Sequence, residues 1–172
     1  GQVLGDGPRG ERMSSTPPSA LVDVVYQEVR CIDAQRWDDW LAMYADDAHY
    51  WMPLTHGQTD PLLQGSLMYE DKMLLGIRVE RLKGRRTFSQ EPISRCHHLV
   101  QAPSLESYDP ALGLAQVRAA FHYVETRADE QQLYAGWATY DLRLQGADWR
   151  IVLKRVDLVN CDAAFGNIQL FM

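Results

Sequence analysis

The chain has little cysteine, no long apolar run and a deficit of positive charge. Its three cysteines, Cys31, Cys96 and Cys161, are odd in number and far apart. That pattern excludes a disulfide-stapled scaffold and predicts three reduced, mostly buried thiols in a cytoplasmic protein. No segment approaches the ~20 consecutive apolar residues of a membrane span. No basic start followed by an apolar stretch marks a secretory leader. Lys and Arg number 17 against 23 Asp and Glu, a net charge of −6. Such a surface repels phosphates, so neither nucleic acid nor a membrane is an expected partner. The sequence also has no Gly-rich phosphate loop, no nucleophile elbow and no zinc-ligand spacing.

What remains is an ordinary globular composition, 46% hydrophobic and 23% charged over 172 residues. This length suits one domain with a real core. Residues 1–18 are rich in Gly, Pro and Ser and read as a disordered lead. Met13-Ser14-Ser15-Thr16 has the look of a native start, which leaves open whether the preceding residues are native or vector-derived. Residues 19–172 form the expected single domain.

After Pro17-Pro18, Leu21, Val24, Val25, Val29 and Ile32 share one face of a helix, with Asp23, Gln27 and Arg30 opposite. A second helix is expected over Trp37–Tyr44, then a short strand His49–Met52 ended by Pro53. A loop follows over Thr55–Gln64. A third helix is predicted from Ser66 to Leu82, stopped by Lys83-Gly84. From about Ser94 the period changes to two. Val117, Ala119, Phe121 and Tyr123 alternate with more polar neighbours, and similar alternation runs through Leu133–Leu144 and Trp149–Lys154. Turns are legible at Tyr108-Asp109-Pro110, Arg127-Ala128-Asp129 and Gln145-Gly146-Ala147-Asp148. Helices first, then hairpin-linked strands, indicate an α+β domain with N-terminal helices packed in a strongly curved sheet. Several strands are apolar on both faces, so one face is expected against the helices and the other against something else, such as a second subunit.

Candidate chemistry is sparse. Asp46, His49 and His56 loosely resemble a two-histidine, one-carboxylate iron site, but Pro53 and Gly57 intervene and a solvated helix end, strand and loop is the simpler expectation. Cys96 and His98 are half of a Rieske ligand set, and the chain has no second Cys with a correctly spaced His, so no cluster is expected. His97 and His98 fall on a strand and point to opposite faces. Either would need a carboxylate partner and a pocket to work as an acid or base, with Asp141, Asp157 or Glu125 as sequence candidates. The apolar ending, Ala163 to Met172, is expected to dock rather than hang free.

Several segments recur in one order: Arg36-Trp37-Asp38-Asp39-Trp40-Leu41, His49-Tyr50-Trp51-Met52-Pro53, Tyr69-Glu70-Asp71-Lys72, Arg78-Val79-Glu80-Arg81-Leu82, Ser94-Arg95 with His98, and Trp149 to Asn160. Together they resemble the small (β) subunit of the Rieske-type aromatic-ring-hydroxylating dioxygenases. The resemblance implies the cone-shaped, mixed but mostly antiparallel sheet shared with nuclear transport factor 2, scytalone dehydratase and cystatin-like proteins. It implies an assembly of three large and three small subunits, with contacts between small subunits. It implies that the Rieske [2Fe–2S] cluster and mononuclear Fe(II) belong to the large (α) subunit. Electrons would come from NAD(P)H through a reductase, sometimes with a ferredoxin, and the product would be a cis-dihydrodiol. No cofactor and no catalytic residue is then expected in this chain. Glu70, Asp71, Lys72, Arg78 and Arg81, with Arg95, become candidates for fixing interface register by paired charge. Two other readings stay open: a stand-alone dehydratase or isomerase using His97 or His98, and a small-ligand binding or dimerisation module. The aromatic substrate is not legible.

Overall fold

The computed structural model describes residues 17–87, 94–161 and 171–172. The first 16 residues of the lead assigned to 1–18, and most of the apolar ending, therefore lie outside the described residues, and Pro18 already opens the first helix. Helix α1, Pro18–Asp33, starts with a proline at its first position, where no N–H is needed. It ends at Gln35, held at φ 52°. There the Arg36 N–H reaches the Cys31 carbonyl and the Gln35 N–H reaches Ile32, a left-handed helix stop filled here by glutamine instead of glycine. Helix α2 is short, Trp37–Ala42.

Seven strands follow or interleave: β1 Tyr44–Pro53, β2 Ser66–Asp71, β3 Arg95–Val100, β4 Ser104–Asp109, β5 Leu114–Arg127, β6 Glu130–Gln145 and β7 Asp148–Leu158. They form one open sheet in the order β2-β1-β7-β6-β5-β3, with β4 pairing the other end of β5. Among the described strands, only the β1–β7 pair is parallel. Helix α3, Lys72–Thr87, leaves β2 directly. The helices supply one layer and the inner sheet face the other. Leu21, Val25 and Ile32 of α1 meet Val117, Phe121, Tyr123 and Tyr140 in one core. The three turns read from sequence are all present, joining β4 to β5, β5 to β6 and β6 to β7, with Ala128 at φ 56° and Gly146 at φ 64° in the last two. Gly136 serves a different need: a Cβ there would lie 2.1 Å from the Asp157 carbonyl oxygen on the neighbouring strand.

Three boundaries differ from the sequence reading. Tyr44 opens β1 instead of closing α2. The predicted third helix splits, because Ser66–Asp71 pairs with β1 from His49 to Pro53. The helix also runs past Lys83-Gly84 to Thr87. The mixed pattern Leu67, Met68, Tyr69 fits both periods, and pairing with β1 decides it.

The alternation in β7 is also broken. Leu142 pairs with Ile151 while Asp141 pairs with Leu153, so Val152 is an extra residue in the ladder. This bulge inverts the side-chain parity beyond it. Ile151 faces the core, but so do Lys154, Val156 and Leu158, while Leu153 turns outward. A lysine is thereby carried into the interior.

Candidate functional site

Lys154 lies 1% exposed opposite Glu28 of α1, itself fully buried. Its Nζ donates to both Glu28 oxygens, at 2.7 and 2.9 Å, and to the Met172 main-chain oxygen at 2.7 Å. Glu28 also accepts from Tyr140 Oη at 2.8 Å and from Trp40 Nε1 at 2.7 Å. Tyr50 Oη donates to the same Met172 oxygen at 2.7 Å. All three donor positions of the ammonium are used, and the carboxylate is surrounded by donors. Burial drives the Lys154 pKa down, and Glu28 opposes that shift. Burial also holds the hydroxyls of Tyr44, Tyr50 and Tyr140 well above their ordinary value, reinforced by the Glu28 charge. Phe171 stacks on Trp40, ring centres 4.4 Å apart, which docks the end of the apolar tail on the same cluster. Sequence reasoning missed Glu28, although it sits on the helix stripe of Leu21, Val24, Val25 and Ile32 where a charge stands out.

A second polar pair lies between α1 and β3. His98 Nδ1 is 2.6 Å from Asp33 Oδ1, and the His98 backbone N–H donates to Asp33 Oδ2 at 3.0 Å. The imidazole is 2% exposed. Its partner is thus Asp33, at the last turn of α1, and not one of the three carboxylates suggested by sequence. Asp141 instead accepts from Gln116, Asp157 pairs with Arg155, and Glu125 accepts from Tyr123. His97 points to the outer sheet face and is exposed. The carboxylate came from a helix some 65 residues earlier, and only the fold brings it to β3.

The residues proposed for metals are otherwise engaged. Cys96 Sγ donates to the Ile32 carbonyl at 3.7 Å. Its pKa is pushed up to about 12 by burial first and the Asp33 charge second, the opposite of a poised thiolate. Asp46 pairs with Lys72, His49 stacks on Tyr69, and His56 is exposed in the 54–65 loop. The described residues contain no group of three His, Cys, Asp or Glu side chains placed to hold a metal ion. Cys96 and His98, committed to Ile32 and Asp33, do not fit a Rieske ligand set.

The charged run marks a strand-to-helix junction. Asp71 Oδ1 accepts from the Leu74 N–H at 2.9 Å, capping α3. Lys72 Nζ donates to the Tyr44 carbonyl at 2.8 Å and to Asp46 at 3.3 Å, tying α3 to the start of β1. Glu70 of β2 pairs with Arg78 of α3, eight residues further on, through Nε at 3.1 Å and through Nη2. Arg81 and Arg95 are exposed. So four of the six residues, Glu70, Asp71, Lys72 and Arg78, serve this fold internally, while the Arg81 and Arg95 side chains are exposed. Large apolar side chains are exposed in several regions. Leu62, Leu63, Met73 and Ile77 lie on the 54–65 loop and α3, at 81%, 81%, 70% and 44% exposure. Leu99 and Leu133 lie on the outer face of β3 and β6, in register with His122 and Val124 of β5 between them.

Residues 27–163 match the family described as the ring hydroxylating beta subunit. A toluate 1,2-dioxygenase subunit beta from Pseudomonas putida is 32% identical over 146 residues, 82% of this chain and 89% of its own length. A crystal structure of the beta subunit of benzoate 1,2-dioxygenase from Burkholderia mallei superposes with TM-score 0.74 at 29% identity, covering 92% of this chain and all of that one. An NTF2-like protein with a cystatin-like fold from Novosphingobium aromaticivorans, 10% identical, shares the fold alone at TM-score 0.57, over 83% of this chain and 81% of its own. The chain therefore belongs to the beta-subunit family of the aromatic-ring-hydroxylating dioxygenases, whose oxygen-incorporating chemistry is carried by another subunit.

Proposed function

We propose that this chain is a structural small subunit that assembles with a large oxygenase subunit as three of each, in the cytoplasm. In that reading the large subunit holds the Rieske cluster and Fe(II), receives electrons from NAD(P)H through a reductase, and cis-dihydroxylates an aromatic compound. The observation that carries it is the match to a toluate 1,2-dioxygenase subunit beta over 82% of this chain and 89% of that one. Benzoates and alkylbenzoates are accordingly the first substrates to try. Two features of the surface support a scaffold role. The outer face of β3 and β6 presents exposed Leu99 and Leu133, with half-buried Val124 of β5 beside them. Arg81 and Arg95 are exposed and available for charge pairing with a partner.

The acid–base reading has one observation in its favour, the His98–Asp33 pair beside an internal pocket. The pocket holds about one water-sized occupant, far less than an aromatic substrate needs, so the scaffold reading stands. The test is charge reversal at Arg81 and Arg95 in the co-produced large and small subunits. Sedimentation should show weakened assembly, with turnover lost only in proportion. Full assembly with lost turnover would overturn the scaffold reading.

A further inference from the structure

Phe171 and Met172 lie outside every helix and strand, yet they are 3% and 1% exposed. They are seated between α2, β1 and β7. The Phe171 ring centre is 4.4 Å from that of Trp40 and 5.8 Å from that of Trp37, both on α2, and 5.4 Å from that of Tyr50 on β1. These aromatic walls define a slot one ring wide. Beside it, Lys154 Nζ and Tyr50 Oη converge on the Met172 main-chain oxygen, each at 2.7 Å. The Met172 N–H meets the same Tyr50 oxygen at 3.3 Å. Both donors are buried, Lys154 at 1% and Tyr50 at 0% exposure. Without an acceptor between them each would hold an orphaned donor hydrogen, which folded proteins rarely tolerate. An apolar slot with a few convergent polar groups is the physical form of a small-molecule site. Here the occupant is the chain itself.

We propose that this seat is a binding site for compounds that join an aromatic ring, through a spacer about one residue long, to an acceptor oxygen, and that Phe171 and Met172 are its tethered occupant. Trp37, Trp40 and Tyr50 select the ring. Lys154 and Tyr50 select the acceptor, whether carbonyl or carboxylate. An aromatic amine with no acceptor would leave both buried donors unpaired and is excluded. The tether gives the internal ring a high effective concentration. An outside ligand therefore gains the seat only where that ring is weakened or removed.

The test uses the full chain carrying Phe171→Ala, which removes the ring that anchors Met172. N-acetyl-Phe-Gly-amide should raise its melting temperature and shift the Trp40 indole N–H signal. N-acetyl-Ala-Gly-amide, which lacks the ring, and 2-phenylethylamine, which lacks the acceptor, should do neither. Adding Tyr50→Phe keeps the aromatic wall and removes one donor, so affinity for the ring-bearing peptide should fall about 2- to 10-fold. The unaltered chain should bind that peptide at least about tenfold more weakly than Phe171→Ala, because its own ring competes. Where Phe171→Ala does not fold alone, the peptide should restore a cooperative melt, and failure to do so counts against the site. No response to the ring-bearing peptide, an equal response to either control, undiminished affinity after Tyr50→Phe, or equal binding by the unaltered chain would overturn the proposal. These readouts need no large subunit, so they succeed or fail independently of the scaffold reading.

Discussion

Removing Lys154 and Glu28 together should cost far less than the sum of removing each alone. In Lys154→Met the Glu28 carboxylate stays buried, still receiving Trp40 Nε1 and Tyr140 Oη but with no cation. Breaking one side of a buried ion pair costs about 3–5 kcal/mol. Glu28→Leu is worse. It strands the ammonium on Met172 alone and orphans the Trp40 and Tyr140 donors, at about 1–3 kcal/mol each. Its total, about 5–11 kcal/mol by the same two ranges, approaches the whole stability of a domain, about 5–15 kcal/mol. The double variant removes this ion pair and orphans the Trp40 and Tyr140 donors, about 2–6 kcal/mol, and also loses the longer 3.5 Å contact from Tyr44 Oη. The two substitutions are therefore expected to be non-additive by about 4 kcal/mol or more. Urea unfolding followed by tryptophan fluorescence measures this, since Trp40 sits in the cluster. Where Glu28→Leu does not fold, Glu28→Gln with Lys154→Met completes the cycle. A Lys154→Met cost under about 1 kcal/mol, or additivity within about 0.5 kcal/mol, would refute the reasoning.

Alkaline pH should unfold the chain. Burial keeps Cys96 protonated up to about 12 and holds Tyr44, Tyr50, Tyr123 and Tyr140 above their ordinary value of 10. In the unfolded chain these groups ionise from about pH 9 to 10. The folded state then binds more protons, so stability falls with rising pH by about 1.4 kcal/mol per unit for each group. Lys154, with its pKa lowered, acts in the opposite sense below 10.5 but is one group against five. Urea midpoints should be flat with respect to these groups below pH 9 and drop steeply above 10; a midpoint unchanged at pH 11 would contradict the burial assigned to the tyrosines. Gly136→Ala should cost roughly 3 kcal/mol, at the upper end for overpacking, because the added Cβ meets the backbone of Asp157 and not a movable side chain. Thermal melting measures it, and a change under about 1 kcal/mol would mean the β6–β7 spacing is wrong.

Much of the fold was legible in the residues. The one-sided apolar stripe of α1 and the period-two runs of β5 and β6 gave elements whose buried faces are those observed. The region Ser66–Asp71 was not, because its apolar spacing serves either period and only pairing with β1 decides. The interior of the site was less legible. Lys154 reads as an outward residue until the Val152 bulge is counted, and because Ile151, Val152 and Leu153 are all apolar the sequence does not mark where the phase changes. Asp33 reads as a helix-end charge until β3 is laid beside α1. Glu28 was readable, as a carboxylate on an apolar stripe, and it is the residue around which the buried cluster assembles.

The central claim is that this chain works as a partner's scaffold and not as an enzyme by itself. The most direct measurement is the native mass, iron content and visible spectrum of the full chain co-produced with a large oxygenase subunit of the family. The account predicts one complex with equal numbers of the two chains and a Rieske-type spectrum, in which the iron stays with the large chain on dissociation. A small subunit that remains apart from the large one, while the large one alone assembles and turns over fully, would contradict it.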